Sequence, residues 1–320
     1  MTTTTTTSSS APVRTPRAGR RRFRTVVRVL ALAAVLAVTG LVVPDSEVAS
    51  TRVALVKVER SHAVDLSPDV VWILGIGSDA RPWEDMTRTR GDALQLVGIH
   101  TKTGAATAIG IARDSWVDIP GHGRNRINAA LTFGGPQLQA RTVAGLVGIE
   151  PDYVMVTRFE GFEGMVREIG PIEVNNPYFF ADANLKREGF RAGRIKLGWY
   201  DAMAYSRIRK GLTNGDFGRS SNQQKVIRGI HRRILEKQRE PGFVERGVAA
   251  VLRHTDTDAS PVELYRIAQA IGKVKPGKVS TCVVQGSLGQ AGAASVVFPD
   301  VAAARRYGDD ARKDATIDRC

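Results

Sequence analysis

The chain has 320 residues, enough for one large domain or two ordinary ones, and a formal charge of +14 from 46 Lys+Arg against 32 Asp+Glu. Nucleic acid, anionic lipid or a local basic tail can each explain such an excess, and its distribution decides among them. Residues 1–28 hold Arg14, Arg17, Arg20, Arg21, Arg22, Arg24 and Arg28 without one acid, so half the excess sits in a terminal segment; with no basic recognition helix and no zinc spacing elsewhere, nucleic acid is not an expected partner.

The opening MTTTTTTSSSAP is low in complexity and reads as disordered. After the arginines, residues 29–43 (VLALAAVLAVTGLVV) form an apolar run ended by Pro44. That run is short for a bilayer core, which needs about 20 residues. Val26 and Val27, with Arg28 snorkelling, bring it to a workable span. Basic residues before the span and few after it predict a cytoplasmic tail (1–24), an anchor (25–43) and an extracytoplasmic body in a single-pass membrane protein. A cleaved signal peptide has the same outline, with EVAS at 47–50 as its cleavage site, and that alternative stays open. Either way the body is exported. Residues 44–69 read as a connector without a strong period.

The exported body, 70–320, begins with VVWILGIG (70–77), an unbroken apolar run suited to a buried central strand. ALQLVGIH (93–100) and AATAIGIA (105–112) read as two more strands joined by a turn. Residues 135–148 carry Leu138, Val143, Leu146 and Val147 on one helical face. A strand over 152–159 and a short helix over 160–170 follow. Residues 220–238 form an amphipathic helix with Val226, Ile227, Ile230, Ile234 and Leu235 on its stripe. Helices near 242–253 and 261–272 precede strands around 279–285 and 294–298. Strands alternating with helices imply an α/β sandwich, its helices covering a central sheet, and no linker divides it. Cys282 and Cys320 fit neither a redox pair nor zinc ligation. Outside the cell they are expected to form a bridge; two unrelated thiols, with Cys282 buried in a strand, is the alternative.

Several motifs are decoys. GIGSDA (75–80) imitates a dinucleotide fingerprint, but RPWEDMTRTRG follows where a helix would have to begin. DFG (216–218) lacks the other kinase elements, the five histidines show no ligand spacing, and no G-x-S-x-G elbow exists.

Charged clusters at strand ends remain. GSDAR places Asp79 and Arg81 just past the first strand, RGDAL places Arg90 and Asp92 just before the second, and ARDSW places Arg113 and Asp114 just past the third. Antiparallel neighbours would bring Asp79 and Asp92 together on one rim, ringed by arginines. YSRIRK and GDFGRSSNQQ add Arg207, Arg209, Arg219 and Gln223. Two carboxylates suit magnesium, which keeps waters and takes substrate phosphate oxygens as further ligands. Guanidinium forks match those phosphates and stay charged. A structural Asp–Arg network at a strand edge is the plainer alternative for any single pair.

ILGIGSDAR, RGDALQLVGI, IARDSWVDIPGHG, RINAAL, GIEPDYVMVTRFEGF, YSRIRK and DFGRSSNQQ, in that order over about 70–230, resemble the LytR–CpsA–Psr family of cell-wall glycopolymer transferases. The resemblance implies an α/β/α sandwich with a central mixed sheet, preceded by one N-terminal transmembrane helix. It implies transfer of a glycopolymer from a polyprenyl-pyrophosphate carrier to peptidoglycan, with Mg2+ as cofactor and membrane lipid as neighbour. Asp79 and Asp92 resemble the metal-side carboxylates. Arg81, Arg90, Arg113, Arg207, Arg209, Arg219 and Gln223 fall among the pyrophosphate binders, and Asp92, Arg113 and Arg219 carry the catalysis. Ala80 and Ala93 stand where hydroxyls are frequent, Ala112 where proline is, and Asn222 where arginine is. The stripe on helix 220–238 offers either a wall for the polyprenyl tail or a core face. A membrane-bound regulator and a non-catalytic wall-binding module are the rival readings; the first lacks a cytoplasmic module, and the second has no need of the paired aspartates.

Overall fold

Uninterrupted runs of Val, Ile and Leu build the centre of the molecule, because strands covered on both faces leave no room for polar alternation. The computed structural model describes residues 52–59 and 69–320. The tail expected over 1–24 and the anchor over 25–43 lie outside the described residues. Among the described residues no helix is long and apolar enough to cross a membrane.

The first four strands are β1 (Val53–Lys57), β2 (Val70–Ser78), β3 (Gly91–His100) and β4 (Ala106–Ile111). Leu74, Leu94, Leu96 and Ile109 within them are fully buried. A hairpin of β5 (Trp116–Ile119) and β6 (Gly123–Arg126) leads into α1 (Ala129–Val147). That helix breaks at Gly134–Gly135, where Gly135 has φ 65° and Pro136 restarts it. The apolar period marks only the part after the break. Next come β7 (Tyr153–Arg158) and α2 (Phe159–Ile169), then β8 (Ile172–Asn176), β9 (Phe180–Asp182), β10 (Lys186–Phe190) and β11 (Gly193–Leu197). These four short strands form two small sheets, β8 with β11 and β9 with β10. α3 (Trp199–Arg207), α4 (Gly215–Lys237), α5 (Phe243–His254), β12 (Thr255–Thr257) and α6 (Pro261–Lys273) follow. The chain ends through β13 (Val279–Val283), a hairpin of β14 (Gly286–Ala291) and β15 (Ala294–Pro299), and α7 (Val301–Ala311).

The main sheet has the order β12-β1-β7-β2-β3-β4-β13. Antiparallel pairs (β1–β7, β2–β3, β3–β4) and parallel pairs (β1–β12, β2–β7, β4–β13) make it mixed, as expected. On one face Leu131, Val143 and Leu146 of α1 and Tyr307 of α7 join Leu74, Leu94 and Ile109 in one apolar cluster. On the other, Val248 of α5 and Leu264 and Ile267 of α6 meet Val71 and Tyr153. The three layers are α/β/α.

Two expectations change and one open alternative closes on the core face. The connector over 44–69 contains β1, seated inside the sheet between β12 and β7. Its five residues, VALVK, are too few and too mixed to declare themselves as a strand. The stripe of α4 is a core face: Val226 and Ile230 are buried with Phe180, Phe190 and Tyr205 in a second cluster, and Ile234 packs against it. Helix 220–238 begins five residues earlier, at Gly215, so that Arg219 lies on the helix. The expected bridge between Cys282 of β13 and Cys320 is formed, with Cα atoms 5.5 Å apart.

Candidate active site

Strand register delivers the carboxylates. β2 ends and β3 begins on the same rim, with Ser78 opposite Gly91 across an irregularity after Gly77. Asp79 lies just past the end of β2 and Asp92 just inside β3, across that irregularity, close enough that the Asp92 charge acts on Asp79. β4 pairs with β3 so that Ile111 faces Leu94. Continuing that register two residues sets Arg113 against Asp92, and the two form a short ion pair. Burial disfavours the charge on Arg113, but Asp92, Asp114 and Asp216 outweigh it and raise its pKa. Burial, and then the neighbouring Asp92 carboxylate, push the Asp79 carboxyl up; Arg113 and Arg90 pull the other way without cancelling this.

The helical side delivers the other cations. Arg219 on α4 lies 2.5 Å from Asp216, one turn earlier. Asp216 also reaches Arg209, in the loop after α3, at 3.4 Å. Arg209 is 3.9 Å from Asp114, and Asp114 lies 3.7 Å from both Arg113 and Arg126. Acids and guanidinium groups thus alternate along one rim. Arg219 is only 7% exposed. Burial lowers its pKa, Asp216 and Asp92 oppose this, and Arg113 and Arg209 add to it. A guanidinium stays protonated under such pressure, so the shift marks a cation that gains from any further anion. The buried Nε of Arg113 has no hydrogen-bond partner among the described residues, a second sign of unused capacity.

Buried amides hold α4 against the sheet. Gln95 of β3 donates to Ser220 Oγ (3.0 Å) and to Gln223 Oε1 (3.1 Å). Gln224 donates to the carbonyls of Ala108 (3.2 Å) and Cys282 (2.6 Å). Gly110 lets the helix come this close: a Cβ there would lie 2.5 Å from Ser220 Oγ.

Several candidates lie elsewhere. Gln223 is committed to the amide network, its Nε2 donating to the Ser206 carbonyl at 3.2 Å. Arg207 stacks on Phe159 at 3.9 Å, and Arg81 lies over Trp83 at 5.7 Å. Among the described residues, no ion pair joins Arg81 or Arg207 to the rim acids. Arg90 is exposed and acts on Asp79 through its charge. Asn222 is buried, its Oδ1 accepting from Lys225 at 2.9 Å. Asp216 and Arg126 are the members that motif reading leaves out; Asp114, seen there only as the neighbour of Arg113, joins Arg113, Arg126 and Arg209.

Among the described residues no group of three or more His, Cys, Asp or Glu side chains is placed to hold a metal. Asp79 and Asp92 are an all-oxygen pair whose charges repel, which a divalent cation would relieve. They suit an ion that fills its remaining positions with water and substrate oxygens.

The LytR_cpsA_psr family model matches residues 40–312. A polyisoprenyl-teichoic acid–peptidoglycan teichoic acid transferase TagU of Enterococcus faecalis is 33% identical over 230 residues, covering 68% of this chain and 73% of the relative. The Bacillus licheniformis protein of the same name is 35% identical over 174 residues, 54% of this chain and 55% of that relative. The crystal structure of B. subtilis TagV superposes with a TM-score of 0.63 at 23% identity, over 78% of this chain and all of that one, which establishes the shared fold.

Proposed function

The chain belongs to the LytR_cpsA_psr family, and from that premise we propose that it moves a glycopolymer from a polyprenyl-pyrophosphate carrier onto peptidoglycan. One observation carries the reading. Arg113 and Arg219 sit half-buried to buried on one rim, Arg219 pressed by the guanidinium groups of Arg113 and Arg209, and both are held by acids that a phosphate would displace or supplement.

The chemistry is displacement at phosphorus. A sugar hydroxyl of the acceptor attacks the phosphorus that bears the glycan. The new P–O bond forms as the bond to the bridging oxygen breaks, polyprenyl phosphate leaves, and the hydroxyl proton passes to a carboxylate. Arg113 and Arg219 stabilise the charge growing on the equatorial and leaving oxygens, from positions fixed before substrate arrives. Asp92 is engaged by Arg113, whereas Asp79, whose carboxyl is already pushed up, is the better placed of the two to receive the proton. Magnesium held between Asp79 and Asp92 would supply Lewis acidity and neutralise the pyrophosphate. The Cys282–Cys320 bridge supports an exported body, since such bonds persist in oxidising compartments.

The test is transfer of a short lipid-pyrophosphate glycan to peptidoglycan oligomers, with and without magnesium. Arg219→Ala is expected to weaken carrier binding and lower turnover about 10²–10³-fold, as loss of a comparable electrostatic contact does. Asp92→Ala is expected to lower turnover and magnesium dependence together while retaining some carrier affinity. Full activity in both folded variants would overturn the transferase reading.

A further inference from the structure

The turn that follows Asp79 is braced far beyond what a surface loop requires. Glu84 N–H donates to the Arg81 carbonyl at 2.9 Å, closing a four-residue turn, and Arg81 N–H donates to the Glu84 carboxylate at 2.8 Å. Pro82 stands at the second position, where its fixed φ pre-sets the bend. From beneath, Arg158 at the end of β7, 6% exposed, donates to the carbonyls of Ala80 (3.2 Å), Arg81 and Glu84. A buried guanidinium given over to loop carbonyls costs desolvation, which these charge-assisted bonds offset only while the turn keeps its shape.

At the third corner of this turn stands Trp83, 76% exposed. The Arg81 guanidinium lies 5.7 Å from its ring centroid. Single exposed apolar side chains are ordinary on proteins. A tryptophan held clear of the surface on a rigid corner, four residues from a carboxylate of the reaction site, is a different case. The backbone that carries it is already fixed before a ligand arrives, so binding incurs less entropy loss there. Trp199, the other exposed tryptophan, is 40% exposed and has Arg167 over its ring at 4.5 Å and Tyr200 at its edge.

We propose that Trp83 is a stacking platform for a pyranose ring of the acceptor glycan. The inference rests on the transferase reading above and adds the place where the acceptor sits. A pyranose presents a face of C–H bonds that packs on an aromatic ring while its equatorial hydroxyls remain with water or polar neighbours. Indole offers the widest such surface among side chains. The direction of approach follows from the rim. Asp79 is joined to this turn through Ala80 and feels the charge of Asp92, which is paired with Arg113, while Arg209 and Arg219 gather about Asp216. A ring on Trp83 therefore brings its hydroxyl from the carboxylate side, while the donor pyrophosphate is drawn to the arginine side.

The experiment uses the full chain in detergent and two titrations. The first probe is a β-1,4-linked N-acetylglucosamine tetramer, free of phosphate and peptide; the second is a short prenyl-pyrophosphate glycan. Trp83→Ala is expected to weaken tetramer binding at least about tenfold, as loss of a central aromatic contact does. Trp83→Phe should retain most of it, Trp199→Ala all of it, and donor binding should be unchanged throughout. Melting temperatures check that the variants are folded. Equal tetramer affinity with and without the indole, or no tetramer binding by the parent protein, overturns the proposal. A loss confined to the donor titration assigns the ring to the donor instead and also overturns it. Failure of the transferase reading would show separately, as absent glycan transfer with tetramer binding intact.

Discussion

At the scale of single residues, Asp216 controls how the arginines present themselves. It holds Arg219 at 2.5 Å and Arg209 at 3.4 Å, fixing guanidinium groups from a helix and a loop on one carboxylate. It also competes with any phosphate for both. Asp216→Asn should therefore differ from loss of an arginine. Carrier affinity is expected to hold or rise, because one negative charge leaves the rim, while turnover falls about tenfold or more as the guanidinium groups lose their fixed geometry. Carrier titrations and single-turnover rates on the same protein separate the two effects; weakened binding with unchanged turnover would contradict this role. Motif reading finds Asp79, Asp92, Arg113 and Arg219 because strand ends and glycine turns announce a rim. It gives Asp114 no role of its own, because an Asp beside an Arg in sequence looks like an ordinary neutralised pair, and it passes over Asp216, whose partners Arg209 and Arg219 come together only when the loop and helix fold. Gln223 was misplaced for a matching reason: its partner Gln95 lies on a strand 128 positions away, and nothing local reveals that contact.

At the scale of elements, the joint between α6 and the sheet depends on one glutamate. Ser260 and Glu263 form a reciprocal cap at the start of α6. Glu263 also pairs with Lys57 at the end of β1 at 2.5 Å. Burial alone would raise its carboxyl, but Lys57 and the Ser260 bonds overcome this and hold the pKa down to about 2. A carboxyl lower in the folded than in the unfolded chain stabilises above the unfolded value, near 4.3, and loses that contribution as pH falls toward 2. The shift corresponds to about 3 kcal/mol at neutral pH. Glu263→Gln is expected to lose about that much at pH 7 and to flatten the stability profile between pH 5 and 2, read by denaturant melts across that range. The same joint shows why β1 escaped sequence reading. VALVK has neither length nor alternation; what makes it a strand is the pairing with β7 and β12 and the tie from Lys57 to α6. The long strands and helices were legible because their apolar periods are set by burial alone. The four short strands β8–β11 pair only with one another and carry no such period.

At the scale of the whole molecule, the bridge and the N-terminal segment concern one question, which side of the membrane the domain occupies. The bond of Cys320 to Cys282 fastens the segment after α7 to β13, next to β4 in the sheet and accepting from Gln224 of α4. Closing a loop of this length stabilises by about 2–4 kcal/mol. That contribution is available only where thiols oxidise. From the basic run in 1–28, ahead of the apolar run in 29–43, we propose that the N-terminus lies inside and the domain outside. Protease added to intact spheroplasts should digest a C-terminal tag and spare an N-terminal one. The exported protein should present no alkylatable thiol until it is reduced. Replacing both cysteines by serine should lower the melting temperature by about 5–10 °C for a domain of this size. Because the site is built on β2, β3, β4 and α4 rather than on the tail, the serine variant should keep its carrier affinity below the new melting point. Two free thiols in freshly exported protein would rule out the bridge, whereas a protected C-terminal tag would place the domain in the cytoplasm, out of reach of a peptidoglycan acceptor, and would contradict the proposed transfer at its first requirement.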